Sequence, residues 1–156
     1  MTTFATDVEL RAHNRAIVED YVSRVGEGRL TRYQLFTEDG EGGLWTTDTG
    51  QPIASRGRDQ LKKHGAWSLE VFPDWRWYNV EIFETQDPNR FWVECDGEGQ
   101  ILFPGYPPGI YRNHFIHSFT FENGKIKQER EFMNPFEQLR ALSIPVPEIR
   151  REGIPA

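Results

Sequence analysis

His64 and Glu131 are the residues of this chain whose types suit acid–base chemistry near neutral pH, and they lie 67 positions apart in the sequence. His64 sits in Leu61-Lys62-Lys63-His64-Gly65-Ala66-Trp67-Ser68, which reads as helix. Glu131 sits in Glu129-Arg130-Glu131-Phe132-Met133-Asn134-Pro135, at the end of the last candidate strand. A histidine and a carboxyl facing one pocket can give and take protons at neutral pH. The plain alternative is a helix-surface histidine and a salt-bridged strand glutamate, since charged side chains are usually solvated. Ser68 lies four residues after His64 and therefore stacks on the same helix face. Arg32, amid Leu30, Tyr33 and Leu35, reads either as a snorkelling surface residue or as a guanidinium fork for a substrate carboxylate. Tyr111 is either a strand aromatic with a wet hydroxyl or a hydrogen-bond donor into the pocket.

The elements that must position these groups follow from periodicity. Asp7 to about Val25 reads as a helix capped by Thr6 or Asp7, with Val8, Ala12, Ile17, Tyr21 and Val25 near one stripe. Arg29 to Phe36 is a short second helix and Gly57 to about Val71 a third. Between them, Glu38 to Gly43 reads as a turn, and Leu44–Thr47 with Pro52–Ser55 as a small hairpin. The second half changes to strand character. Its strands are Trp75–Glu84, then Phe91 to Phe103 with Gly97 and Gly99 marking a bend or bulge, then Tyr111–Phe121 and Lys125–Met133. Asn134-Pro135 ends the last strand, and a terminal helical turn over Phe136–Leu142 follows. Helices followed by a curved antiparallel meander give an α+β class, and a strongly bent sheet closed by helices makes a cone with an internal pocket.

The facing of Glu131 depends on one turn. Tyr111, Phe115, Phe119 and Phe121 share a strand face, the inward candidate. A two-residue turn at Asn123-Gly124 puts Glu131 opposite Ile116 and outward. A three-residue turn, Glu122-Asn123-Gly124, puts it opposite Phe115 and inward, and a bulge would shift the register again. Glu129 is a second carboxylate on the same face as Glu131.

Composition narrows the function classes. The 156 residues fit one domain over 1–156, and 13% aromatics suggest a large pocket or a buried subunit contact. Trp75, Trp77, Phe91 and Trp92 exceed the needs of one small core, which predicts a homodimer through the sheet. A net charge of −6 argues against nucleic acid. The single cysteine, Cys95, precludes an internal disulfide, and its acidic neighbours Glu94 and Asp96 would raise its pKa, so it reads as an inert strand residue. His114 and His117 fall on opposite strand faces and make a poor metal pair. No phosphate loop or nucleophile elbow is present. The N-terminus has no signal-like apolar core and no apolar run reaches membrane-spanning length, so a soluble cytoplasmic protein is expected.

Four long stretches are distinctive: Phe83 to Gly97 (Phe-Glu-Thr-Gln-Asp-Pro-Asn-Arg-Phe-Trp-Val-Glu-Cys-Asp-Gly), Ile101 to Pro107, Asn113 to Phe119 and Arg130 to Pro135. Together they strongly resemble the phenazine biosynthesis A/B proteins, and the likeness runs from about Arg15 to Pro147. The resemblance implies the nuclear transport factor 2-like, ketosteroid isomerase-like cone, a homodimer and a cofactor-independent, metal-free enzyme. It implies condensation of two molecules of 6-amino-5-oxocyclohex-2-ene-1-carboxylate to a tricyclic hexahydrophenazine dicarboxylate, with other enzymes of the pathway as further partners. The family's pocket histidine falls on His64 and its glutamate on Glu131. Its carboxylate-binding arginine falls on Arg32, its helix serine on Ser68 and its strand tyrosine on Tyr111. Two other classes stay open: another isomerase or hydrolase on the same cone, and a non-catalytic binding or scaffold subunit.

Overall fold

The computed structural model describes residues 6–155. Helix α1 spans Asp7–Ser23, and Thr6 is its cap, its hydroxyl oxygen accepting from the Glu9 amide at 3.1 Å. A 3₁₀ segment, Gly26–Leu35, follows. Strand β1 (Phe36–Leu44), strand β2 (Ile53–Arg56) and helix α2 (Arg58–Val71) complete the first half. Strands β3 (Arg76–Glu84), β4 (Arg90–Ile101), β5 (Gly109–Glu122) and β6 (Lys125–Met133), then helix α3 (Pro135–Ala141), make up the second. The strands form one sheet in the order β2-β1-β6-β5-β4-β3, antiparallel throughout except where β1 runs parallel to β6.

Alternation along β4 and β5 divides the sheet into two faces. The odd-numbered residues Phe91, Val93, Cys95, Tyr111, Phe115, Phe119 and Phe121 are buried, and they meet Val18, Tyr21 and Val22 of α1 in one apolar cluster. Glu94, Arg112, His114 and Ile116 point to the other, outer face and are exposed. The helices close the inner face and leave a cavity at its wide end. Among the described residues, no helix is long and apolar enough to cross a membrane.

Several sequence expectations change. The stripe on α1 is rotated: Val8 and Val25 are exposed, at 75% and 58%, while Asn14, Val18, Tyr21 and Val22 are buried. Asn14 accounts for part of this, because its amide donates to the Pro88 carbonyl and to Asn89 Oδ1, drawing a polar residue into the interface. The expected turn Glu38–Gly43 is strand, as part of β1, and its glycines permit close contacts. A Cβ on Gly43 would lie 2.1 Å from the Ile53 carbonyl oxygen. Gly97 and Gly99 mark no bulge, since β4 pairs with β5 in unbroken register. They make room instead: a Cβ on Gly97 would lie 2.4 Å from the Trp75 ring and 2.8 Å from Phe115. The bulge falls in the neighbouring strand, between Tyr78 and Glu81, where Asn79 has φ 51°. Trp75, Trp77 and Phe91 also turn inward, where Trp77 stacks edge-on against Phe115 and His117. Of the four aromatics assigned to a subunit contact, only Trp92 lies on the outer face.

Candidate active site

The turn and the bulge of the β5–β6 hairpin together fix where Glu131 points. Glu122 pairs with Lys125, so the turn has two residues, and Asn123 (φ 51°) and Gly124 (φ 76°) both take the left-handed conformation that such a hairpin needs. That turn alone would send Glu131 outward. The register then shifts: Phe121 pairs with Ile126 but Thr120 with Gln128, leaving Lys127 as the extra residue of a bulge. Its ammonium swings out to Asp39 Oδ2 at 2.6 Å. Beyond the bulge every side chain changes face, so Glu131 pairs with His117 and points inward. Strand β1 fixes this end of β6, because the Trp45 amide donates to the Glu131 carbonyl at 2.8 Å and the Thr46 hydroxyl bridges the Met133 backbone.

His64, Ser68, Arg32, Tyr111 and Glu131 all border one cavity of about 610 Å³, with Trp67, Phe72, Trp75, Trp77 and Phe103 among its walls. A broader, shallower depression on the outer face, around His114, Ile116 and Phe132, encloses none of the five. Burial raises the Glu131 pKa to about 7, against the opposing pull of His117 and Arg32 and with help from Glu129. The carboxyl therefore carries its proton up to neutral pH. His64 shows its ring to the cavity and is exposed by area. The protein mass around the cavity nonetheless lowers its pKa by desolvation, Glu129 opposing and Arg32 and Arg29 adding to the effect. Its ring packs 5.3 Å from that of Trp67. Burial pushes the Tyr111 hydroxyl well above its ordinary pKa. That oxygen accepts from the Asn113 amide at 2.9 Å, which leaves the phenolic proton to donate.

Two arginines share the floor and do different things. Arg29 is 3% exposed and fully engaged, donating to Ser68 Oγ at 2.6 Å, to the Ser68 carbonyl at 2.9 Å and to the Phe72 carbonyl at 2.6 Å. It ties the 3₁₀ segment to α2 and holds Ser68 in place. Arg32 lies 4.6 Å over the Tyr21 ring and gives one bond to the Arg24 carbonyl at 3.2 Å, while its buried Nε has no hydrogen-bond partner among the described residues. Arg32 therefore borders the cavity with a guanidinium that makes one hydrogen bond to the described residues.

Three groups at this site went unassigned in the sequence reading. Arg29 is one. The others are His117 and Glu129, whose Nδ1 and Oε1 lie 2.8 Å apart with side chains 0% and 3% exposed. Burial alone would strip the His117 proton, but contact with Cys95, the hydrogen bond to Glu129 and the charges of both glutamates outweigh it and raise its pKa to about 10. Glu129 is therefore no idle second carboxylate. His117 has the same strand parity as Phe115 and Phe119, so the alternation already placed it inward; its pairing with His114 as a metal candidate drew attention from that.

A curved sheet closed by helices around a polar-floored cavity defines the nuclear transport factor 2-like, ketosteroid isomerase-like class. A protein of ketosteroid isomerase-like fold from Catenulispora acidiphila superposes with a TM-score of 0.67 at 15% identity, covering 83% of this chain and 93% of that one. Much nearer is the phenazine biosynthesis-related protein phzb2 of Pseudomonas aeruginosa, with a TM-score of 0.94 at 65% identity over 96% of this chain and 97% of that chain. Phenazine biosynthesis protein PhzB1 of Pseudomonas aeruginosa is 68% identical over 147 residues, 94% of this chain and 91% of its own length. The family model for phenazine biosynthesis protein A/B matches residues 1–156, and the chain belongs to that family.

Proposed function

We propose that this protein catalyses the condensation of two molecules of 6-amino-5-oxocyclohex-2-ene-1-carboxylate, forming the hexahydrophenazine dicarboxylate precursor of phenazines. The observation that carries the reading is a carboxyl protonated up to about pH 7, Glu131, facing the same cavity as a histidine held toward its neutral form. The amine of each molecule adds to the ketone of the other. The carbinolamine oxygen needs a proton to leave as water, and the nitrogen must lose one for the C=N bond to form. Glu131 supplies the first and His64 accepts the second. The cavity volume falls within the roughly 300–1,000 Å³ of small-molecule sites. Its aromatic walls suit the apolar faces of two six-membered rings.

The Arg32 guanidinium, which borders the cavity, suits a substrate carboxylate, and it supplies local attraction in a chain of net charge −6. Tyr111 and Ser68 border the same space and can fix the remaining polar atoms. Holding two reactive molecules together contributes as well, up to about 7–11 kcal/mol in ideal intramolecular cases. The uncatalysed reaction competes, so the acid–base contribution is expected near the low end of about 10²–10⁴-fold. Product formation measured against protein concentration tests this with wild type, Glu131→Gln and His64→Ala, each checked for native folding. Slopes falling about 10²-fold for both variants support the reading. A folded Glu131→Gln protein with the wild-type slope makes the chain a binding or scaffold subunit instead.

A further inference from the structure

Behind Glu131 lies a buried ionisable pair that the proposed condensation does not itself use. His117 and Glu129 are hydrogen-bonded at 2.8 Å, and one ligating atom from each of His117, Glu129 and Glu131 falls within 4.8 Å of the others. Stability gives a weak reason to keep such a pair. Burying two charges costs about as much as their attraction returns, and apolar residues of similar volume often do as well or better. Phe115 and Phe119, which flank His117 on the same strand face, show that this layer of the sheet accepts such residues.

We infer that the His117–Glu129 pair is the positioning device of Glu131, holding that carboxyl toward the cavity and governing how readily it keeps its proton. The inference rests on the reading of Glu131 as the acid of the condensation. The charged and titratable groups that act on Glu131 are Tyr21 of α1, Arg32 of the 3₁₀ segment, His117 and Tyr111 of β5, and Glu129 of β6, while His64 of α2 lines the same cavity and Cys95 of β4 meets His117. Substitution within the pair leaves the others in place, so the sign of its effect can be stated. Glu129→Gln keeps the size of the side chain and removes its charge. The imidazolium then has Glu131 as its remaining counterion, and Glu131 gives up its proton at lower pH. His117→Gln does the opposite. It leaves two carboxyls side by side with no cation between them, and these resist ionising together.

The test is a titration of the side-chain carboxyl of Glu131 by carbon NMR on glutamate-labelled protein, with Glu131→Gln assigning the signal. The midpoint is expected to fall in Glu129→Gln and to rise in His117→Gln, each by about one unit or more, as for a charge within a few ångström. A midpoint unchanged in Glu129→Gln, or moved the same way in both variants, overturns the inference. Should His117→Gln not fold, Glu129→Gln decides alone. A merely structural pair would lower yield or stability without moving the midpoint. Because the titration needs no substrate, shifted midpoints in a protein that does not condense would refute the condensing reading and leave the positioning role standing.

Discussion

A carboxyl whose pKa is raised from 4.5 to about 7 binds its proton more tightly in the folded chain than in the unfolded one. Between those two pH values the folded state of this protein holds the extra proton, so stability falls as pH rises through that window and the loss is complete above it. The shift corresponds to on the order of 3 kcal/mol. Glu131→Gln escapes this cost. Urea unfolding should therefore find the variant more stable than wild type at pH 8 and similar to it at pH 4, even though its activity has dropped. Arg32 allows a second prediction at this scale. A guanidinium offers parallel bonds to a carboxylate that an ammonium cannot reproduce. Arg32→Lys should weaken a ring carboxylic acid about ten-fold, as for loss of one charge-assisted bond. Its amide should lose less, and calorimetry with both ligands would show it. Equal losses would mean that Arg32 supports the fold rather than reading the charge. The residue types of Glu131, His64 and Arg32 suggested acid–base and carboxylate chemistry but left the plain surface readings open, and their assignment to one pocket came from the resemblance to the phenazine biosynthesis A/B proteins. The Arg29 bonds to α2 were not visible, because they end on backbone carbonyls brought close only by the fold.

At the scale of elements, the register of β6 decides the site. The strand boundaries Lys125 and Met133 followed from sequence, whereas the choice between a two-residue turn at Asn123-Gly124 and a three-residue turn stayed open until the fold was seen. The bulge at Lys127 did not, because it depends on β1 lying alongside with Asp39 to receive the displaced ammonium. One extra residue there separates a pocket glutamate from a surface one. The same non-local cause hid β1 itself. Its segment Thr-Glu-Asp-Gly-Glu-Gly-Gly has turn composition, yet it is held as strand between β2 and β6. Gly97 tests the claim that strand glycines make room for the aromatic wall. A methyl group there meets Trp75, Phe115 and Trp77 at 2.4, 2.8 and 2.9 Å. Gly97→Ala should cost about 1–3 kcal/mol through overpacking. The denaturation midpoint should fall at constant slope; an unchanged midpoint would mean that the wall yields freely.

For the whole molecule, the α+β class was readable because α1 and α2 precede the four long strands β3 to β6, even though β1 and β2 lie between the helices. Trp75, Trp77 and Phe91 line the interior and leave a subunit contact to other residues. The outer face carries half-exposed Trp92, Phe132 and Ile116, flanked by Arg90 and Arg130 toward one end and by Glu94 and Asp96 toward the other. We propose that a second copy of the chain covers this face about a two-fold axis, which would set the arginines of each copy against the acids of the other. Light scattering at micromolar concentration should give twice the mass of the 18.2 kDa chain, and Ile116→Glu should give the monomer. A monomeric wild type would end the idea.

The central claim is that Glu131 donates the proton that drives condensation, and the pH dependence of the rate tests it most directly. Wild-type rate, corrected for the uncatalysed reaction, should fall as pH rises through about 7, where Glu131 loses its proton. In folded Glu131→Gln the rate should be lower by about 10²-fold at pH 6, with that limb gone. A Glu131→Gln protein that keeps both the wild-type rate and the fall near pH 7 would contradict the account.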